Sequence, residues 1–191
     1  MDAATQYALA YSLTTAAGVR AVLALAVVSV ATHFGLLHPP AMFAWLASPV
    51  AMWVLIAVGA VELFADKIPL LDNALHLMQT VVKPAAAAII VGGTVHAQSN
   101  EMLIFLMVVG ALNALGVHAG IATVRGASTL ATGGLANPVV STVEDAGALG
   151  TSLLAFVMPF VMAVVAVLFT LAMIVLARRA YLRVRPRSTL S

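Results

Sequence analysis

The sequence has no cysteine and little charge. The first absence removes disulfides, thiolate metal sites and cysteine nucleophiles, and leaves the redox compartment unread. Charged residues make up 8% of the chain, where soluble domains carry about 25%. That shortage excludes an ordinary water-soluble domain. No HExxH or GxSxG occurs, so neither a zincin site nor a serine-hydrolase elbow is present. The start, "MDAATQ", has an acid and no Lys or Arg, and the apolar run behind it is too long for a cleaved signal peptide.

What is there is apolar. Hydrophobic residues are 63% of the 191, and the mean hydropathy is +1.09. The class is an integral membrane protein. A pI near 9.4 suggests nucleic acid only until the basic residues are placed. Five of nine are Arg178, Arg179, Arg183, Arg185 and Arg187, directly after a long apolar segment. This is the positive-inside signal. It marks residues 178–191 as a basic cytoplasmic tail that can touch anionic lipid, with no nucleic-acid partner expected.

Four segments are long enough for a hydrocarbon core, which takes roughly 20 helical residues: Tyr7–Leu37, Ala41–Ala65, Met102–Val124 and Ser152–Ala177. Two more are ambiguous. Ile68–Ala97 begins amphipathic and ends apolar. Gly126–Gly150, "GASTLATGGLANPVVSTVEDAGALG", is too polar for lipid and too apolar for a solvated loop. It reads as a broken or re-entrant segment, with a short helix starting near Pro138. The expectation is an all-α bundle of about six transmembrane or re-entrant segments, in a single membrane domain over residues 1–177. An even count puts both termini in the cytoplasm.

Three echoes recur in order: "AAGVRAVLAL" with "ALGVHAGIAT", "ASPVAMWVLIAVGAVE" with "ANPVVSTVED", and "VVKPAAAAIIV" with "FVMPFVMAVVAV". They divide the chain into halves 1–98 and 99–177, a 3+3 inverted repeat of the transporter type. Chance among Ala, Val and Leu competes with this, since the spacings of the matching prolines differ.

A buried charge costs at least ~2.5–3.5 kcal/mol, so each needs a partner or water. Asp72, His76, Thr80 and Lys83 fall within ~80° of helical arc, opposite an apolar face. Asn137, Ser141, Glu144 and Asp145 form a second stripe. Glu62 and Asp66 share a face before Lys67. Arg20 lies deep in the first apolar run, and His118 and Arg125 share a face of the fourth span. An interior network follows, pairing Arg20 with Glu144 or Asp145, and Lys83 or Arg125 with Glu62 or Asp66. Against it stands a surface reading, in which "ADKIP" is an interfacial turn and the helix after it lies on the membrane. A metal site from Glu62, Asp66, Asp72 and His76 is disfavoured by the nearby lysines. Gly133, Gly134 and Asn137 could present backbone amides to an anion. His76 could relay a proton.

With "ADKIPLLDN", "VVKPAAAA" and "STLATGGLANPVVSTVEDAGAL" in view, the chain resembles the domain-of-unknown-function 4126 family of small bacterial membrane proteins. The likeness runs from "AAGVRA" to the last span. It implies a multi-pass protein of the bacterial inner membrane and supplies no activity, catalytic residue or cofactor. The polar positions it marks are Arg20, Glu62, Asp66, Lys67, Asp72, Lys83, Pro84, Thr132, Gly133, Gly134, Asn137, Pro138, Ser141, Glu144 and Asp145.

The function expected is a small transporter or channel for an ion, proton or small polar solute. Its pathway residues are those polar positions other than the prolines, with His76, Thr80 and Arg125. No resident metal or cofactor is expected. A non-transporting scaffold is the alternative, with an intramembrane lipid enzyme behind it. Small size favours a homodimer.

Overall fold

A computed structural model describes residues 1–65 and 69–184, and side chains over 1–64 and 78–183. Asp66 and Lys67 lie outside the described residues. Asp72 and His76 fall within a helix, but their side chains lie outside. Among the described residues every regular element is helical: α1 (Ala3–Val19), α2 (Ala21–His33), a short 3-10 helix (Ala41–Ala47), α3 (Pro49–Ala65), α4 (Pro69–Thr94), α5 (Asn100–Thr132), α6 (Asn137–Val157) and α7 (Pro159–Val184).

Two of these, α5 and α7 up to Arg183, are long and apolar enough to cross a membrane. A third candidate is the 3-10 helix with α3 to Phe64, bent by 66°. The first expected span, Tyr7–Leu37, does not form as one helix. Arg20 is extended (φ −133°, ψ 100°) and splits it. The two parts fold back as a hairpin: Leu37, beyond the end of α2, shares a cavity with Met1 and Gln6. The last expected span also breaks, at Met158 (φ −135°, ψ 64°). Pro159, which cannot donate to the preceding turn, restarts the chain as the first residue of α7. The segment expected to be broken is mostly helix. Residues up to Thr132 extend α5, Gly133 and Gly134 turn with φ of +63° and +89°, and α6 starts at Asn137, next to Pro138.

Contacts set the helix directions. Asn113 meets Thr14, and Gly18 lies against Ala114 and Val117, so α1 and α5 are parallel. Thr170 meets Asn113 and Ile174 meets Gly116, so α7 runs with them. The described ends, at α1 and α7, therefore lie at opposite ends of the bundle, not on one side as the even count requires. The first sequence echo sets Ala16–Leu25, which straddles the α1–α2 break at Arg20, against Ala114–Thr123, which lie inside the unbroken α5, so the two copies differ in structure.

Glycines allow the closest approaches. A Cβ on Gly18 would sit 2.6 Å from Val117 Cβ and 2.8 Å from the Ala114 carbonyl. One on Gly120 would sit 2.6 Å from Met173 Cα. Gly116 and Gly120 make a small-xxx-small seam of the kind that joins helices in lipid, where apolar burial supplies no drive. The core packed around α1 holds Leu9, Leu13, Ala17, Ala24, Val28 and Ile90.

Candidate functional site

The break at Arg20 is held from outside its own helix. In a continuous helix the N–H groups of Ala21, Val22 and Leu23 would bond carbonyls four residues back. Here all three donate to the Glu62 carboxylate on α3, at 3.2, 3.1 and 3.2 Å. A negative group at the positive end of α2 is favourable, and it answers the orphan donors that the break creates.

Freed from helical geometry, the Arg20 side chain turns to α6 and is fully buried. Its Nη2 donates to Ser141 Oγ at 2.9 Å and to the Ser141 carbonyl at 3.4 Å. It lies 3.5 Å from Glu144 Oε2. Nε sits 2.7 Å from Asp145 Oδ1 as an ion pair whose N–H is not aligned for a hydrogen bond. Glu144 is shared. Arg125, at the far end of α5, donates Nε to Glu144 Oε1 at 3.0 Å and Nη2 to Oε2. That fork is the geometry guanidinium and carboxylate favour.

Lys83 on α4 completes the group. It is 2% exposed, and its Nζ lies 3.0 Å from His118 Nδ1 on α5. Glu144, Glu62, Arg20 and Arg125 are the charges acting on it. The described ionisable side chains here are thus Arg20, Lys83, Arg125, Glu62, Glu144 and Asp145, three of each sign, with His118 among them.

Both alternatives expected for Arg20 are met, since it contacts Glu144 and Asp145. Among the described residues Arg125 pairs with Glu144 and not with Glu62; Asp66 lies outside them. Thr80 is exposed while Lys83 is buried, so those two members of the expected α4 stripe do not share an environment. The α6 stripe divides as well. Ser141, Glu144 and Asp145 face Arg20, whereas Asn137 donates to Thr129 Oγ1 at 3.0 Å. Thr132 accepts from Ala136 N–H at 3.2 Å. Thr132, Gly133, Gly134 and Asn137 therefore build the α5–α6 turn and do not join the charges.

A second polar cluster was not legible in advance. Asn113 Nδ2 donates to Thr14 and Thr15 Oγ1 at 2.9 and 2.8 Å, and its Oδ1 accepts from Thr170 Oγ1 at 2.9 Å. All four side chains are buried. An asparagine amid "VVGALNALG" was the only signal. Buried Ala17, Ala114 and Val117 lie between the clusters. A cavity of about 240 Å³ between α1, α6 and α7 passes beside that layer, with Glu144 and Thr15 both in its wall.

An all-helical bundle with candidate membrane spans and ionic groups buried at a helix break defines a membrane-type protein with a built interior charge site. The chain belongs to the family described as domain of unknown function (DUF4126), whose model matches residues 7–179. No curated protein and no solved structure matches it.

Proposed function

We propose that the protein is a small transporter or channel of the bacterial inner membrane, moving an ion, proton or small polar solute. The observation that carries this reading is the cavity touching both polar clusters, Glu144 at one end and Thr15 at the other. The cavity is open at the outer face of the bundle, where Val143, Gly147 and Val165 are exposed, and so gives both clusters one opening. The helix break supports the same reading, because transporter sites form where discontinuous helices expose backbone ends to ionic groups. Exposure differs within the charged group. Arg20 and Lys83 are 0% and 2% exposed, Arg125 and Asp145 14% and 16%.

In this reading the Arg178, Arg179 and Arg183 end of α7 is cytoplasmic and meets anionic lipid, and residues 1–177 act as one membrane domain. A homodimer would supply further walls. No nucleic acid is involved.

Purified protein in liposomes tests the proposal. Wild type should carry a flux of protons, alkali cations or small anions. Gly147 lines the cavity, and a Cβ there would meet nothing within 4 Å. Gly147→Phe should therefore fold normally and block the flux. No flux from wild type, or full flux from Gly147→Phe, overturns this reading.

A scaffold reading has one observation of its own. The described charges balance, three against three, as a network that only fixes helix register would require.

A further inference from the structure

Val165 and Phe169 place α7 on one wall of the cavity beside Glu144, and Val143 and Gly147 place α6 on another. Val143, Gly147 and Val165 are exposed, so the space opens outward between the two helices. α7 carries no charge from Pro159 to Ala177. That stretch is ~28 Å of helix at 1.5 Å per residue, against ~30 Å of hydrocarbon. Phe169 then lies near the middle of the core and Arg178 at its edge. The cavity opens at the depth where the acyl chains of one leaflet end.

The α7 surface between the cavity and the arginines is a continuous track. At 100° per residue Arg183 falls on the face of Val165, eighteen residues on, and Arg179 within ~40° of it. Arg178 falls ~140° away. Ala172 and Leu176, between them on that face, are exposed. Long side chains on a helix lean toward its N-terminus, so both guanidinium groups lean back toward the cavity. Both are exposed, and neither has a polar partner among the described residues. Phe169 is ten residues before Arg179, ~15 Å along the helix. Half of the hydrocarbon core has the same length.

These features select one occupant. An exposed apolar strip takes a hydrocarbon chain. Two arginines at its end take an anionic headgroup, through charge and paired hydrogen bonds. The cavity, about 240 Å³, is smaller than the roughly 300–1,000 Å³ of whole-ligand pockets, so it receives a chain end and not a head. Glu144 and Thr15 in its wall already have protein partners in Arg125 and Asn113, so a chain beside them strands neither.

We propose that this groove binds one anionic diacyl phospholipid, with its phosphate at Arg179 and Arg183 and one chain end in the cavity. Such a site differs from the general pull of a basic tail on a charged surface, because it reads the chain as well as the head. Bound there, the lipid covers the opening to Glu144 and Thr15. That effect on a flux rests on the transport reading above; the site itself does not.

Native mass spectrometry of the full-length protein tests the site. The protein is delipidated in detergent and titrated with phosphatidylglycerol or phosphatidylcholine of identical chains. Wild type should bind one phosphatidylglycerol more tightly than further copies, and more tightly than phosphatidylcholine. Arg179→Gln with Arg183→Gln should weaken that first copy about thirty-fold, the usual worth of two arginines at an anionic surface. Gly147→Phe fills the cavity and keeps both arginines. It should weaken the same copy and leave further copies unchanged.

Equal affinity of wild type for the two lipids overturns the proposal, as does a double-arginine variant that binds like wild type. A first copy held as tightly in Gly147→Phe as in wild type also overturns it, since only a diffuse basic surface would remain. If Gly147→Phe does not fold, Val165→Phe on the α7 wall takes its place. The transport reading fails separately. Liposomes without flux, from a protein that shows this lipid pattern, leave the site standing and remove its effect on a pathway. Flux that is the same in both lipids, from a protein with no preferred lipid, does the reverse.

Discussion

Arg20 Nε lies 2.7 Å from the Asp145 carboxylate, joining the first helix break to the middle of the chain's acidic motif. The arginine has no exposure at all, and its second arm reaches Ser141 and Glu144. Two carboxylates thus depend on it for compensation, one of them shared with Arg125.

Removing that cation should be severe. Arg20→Met removes a described ion-pair partner from both Glu144 and Asp145, leaving Arg125 paired with Glu144. Breaking a buried pair from one side costs about 3–5 kcal/mol. The expected outcome is a large drop in thermal stability in detergent and a low yield. Arg20→Met combined with Asp145→Asn should recover part of the loss, because the uncompensated charge goes with it. Equal stability of the single and double variants would show that the pairing is not what the arginine supplies.

Asn113 ties three helices through one amide. Its NH₂ serves Thr14 and Thr15 of α1 and its oxygen serves Thr170 of α7. Interhelical hydrogen bonds in membranes are individually modest, so Asn113→Ala should cost about 1–2 kcal/mol. Asn113→Asp keeps an acceptor and loses the two donors. It should be worse than Ala if it is charged there, since it adds an unpaired carboxylate to a buried cluster. Thermal unfolding of the three proteins side by side gives the order.

The α5–α7 seam should tolerate no side chain at Gly120, where a Cβ would meet Met173 backbone. Gly120→Leu is expected to separate the helices and prevent accumulation of folded protein. Gly126→Ala, on the same helix, meets nothing within 4 Å and should express as wild type. Replacing Gly by Ala there removes backbone freedom from the unfolded chain, so a small gain is expected, about 0.4–1 kcal/mol. Size-exclusion profiles of the two variants make the comparison.

The pairing of Arg20 with Glu144 and Asp145 was legible because an arginine deep in an apolar run needs acids, and the chain has few. The start of α6 was legible from Pro138. The break at Arg20 was not. "AAGVRAVLAL" contains no proline and no glycine pair, and a lone Gly18 with Val19 and Val22 weakens a helix without dictating where it stops. The break depends on a carboxylate from another helix, and helix propensity is a weak prior against tertiary context. The break at Met158 had a signal in Pro159, but the apolar run on both sides conceals it. The polar α4 stripe misled for a different reason. Positions three apart on a helix differ by about 60° of arc, enough to put Thr80 outside and Lys83 inside.

That same dependence on a distant carboxylate makes the final prediction sharp. Glu62 accepts three backbone donors at once, and its charge also faces the positive end of α2. Glu62→Ala should expose the amides of Ala21, Val22 and Leu23, and cost about 0.5–2 kcal/mol by analogy with lost N-caps. Glu62→Gln keeps one acceptor oxygen and should fall between. Hydrogen exchange locates the effect: protection should drop at those three amides before it drops at Val28 or Ser29, further along α2. If exchange at Ala21–Leu23 is the same in Glu62→Ala as in wild type, the helices fold back at Arg20 without this cap. The fold-back would then need another origin, and the close packing of Gly18 on α5 would be the next contact to remove.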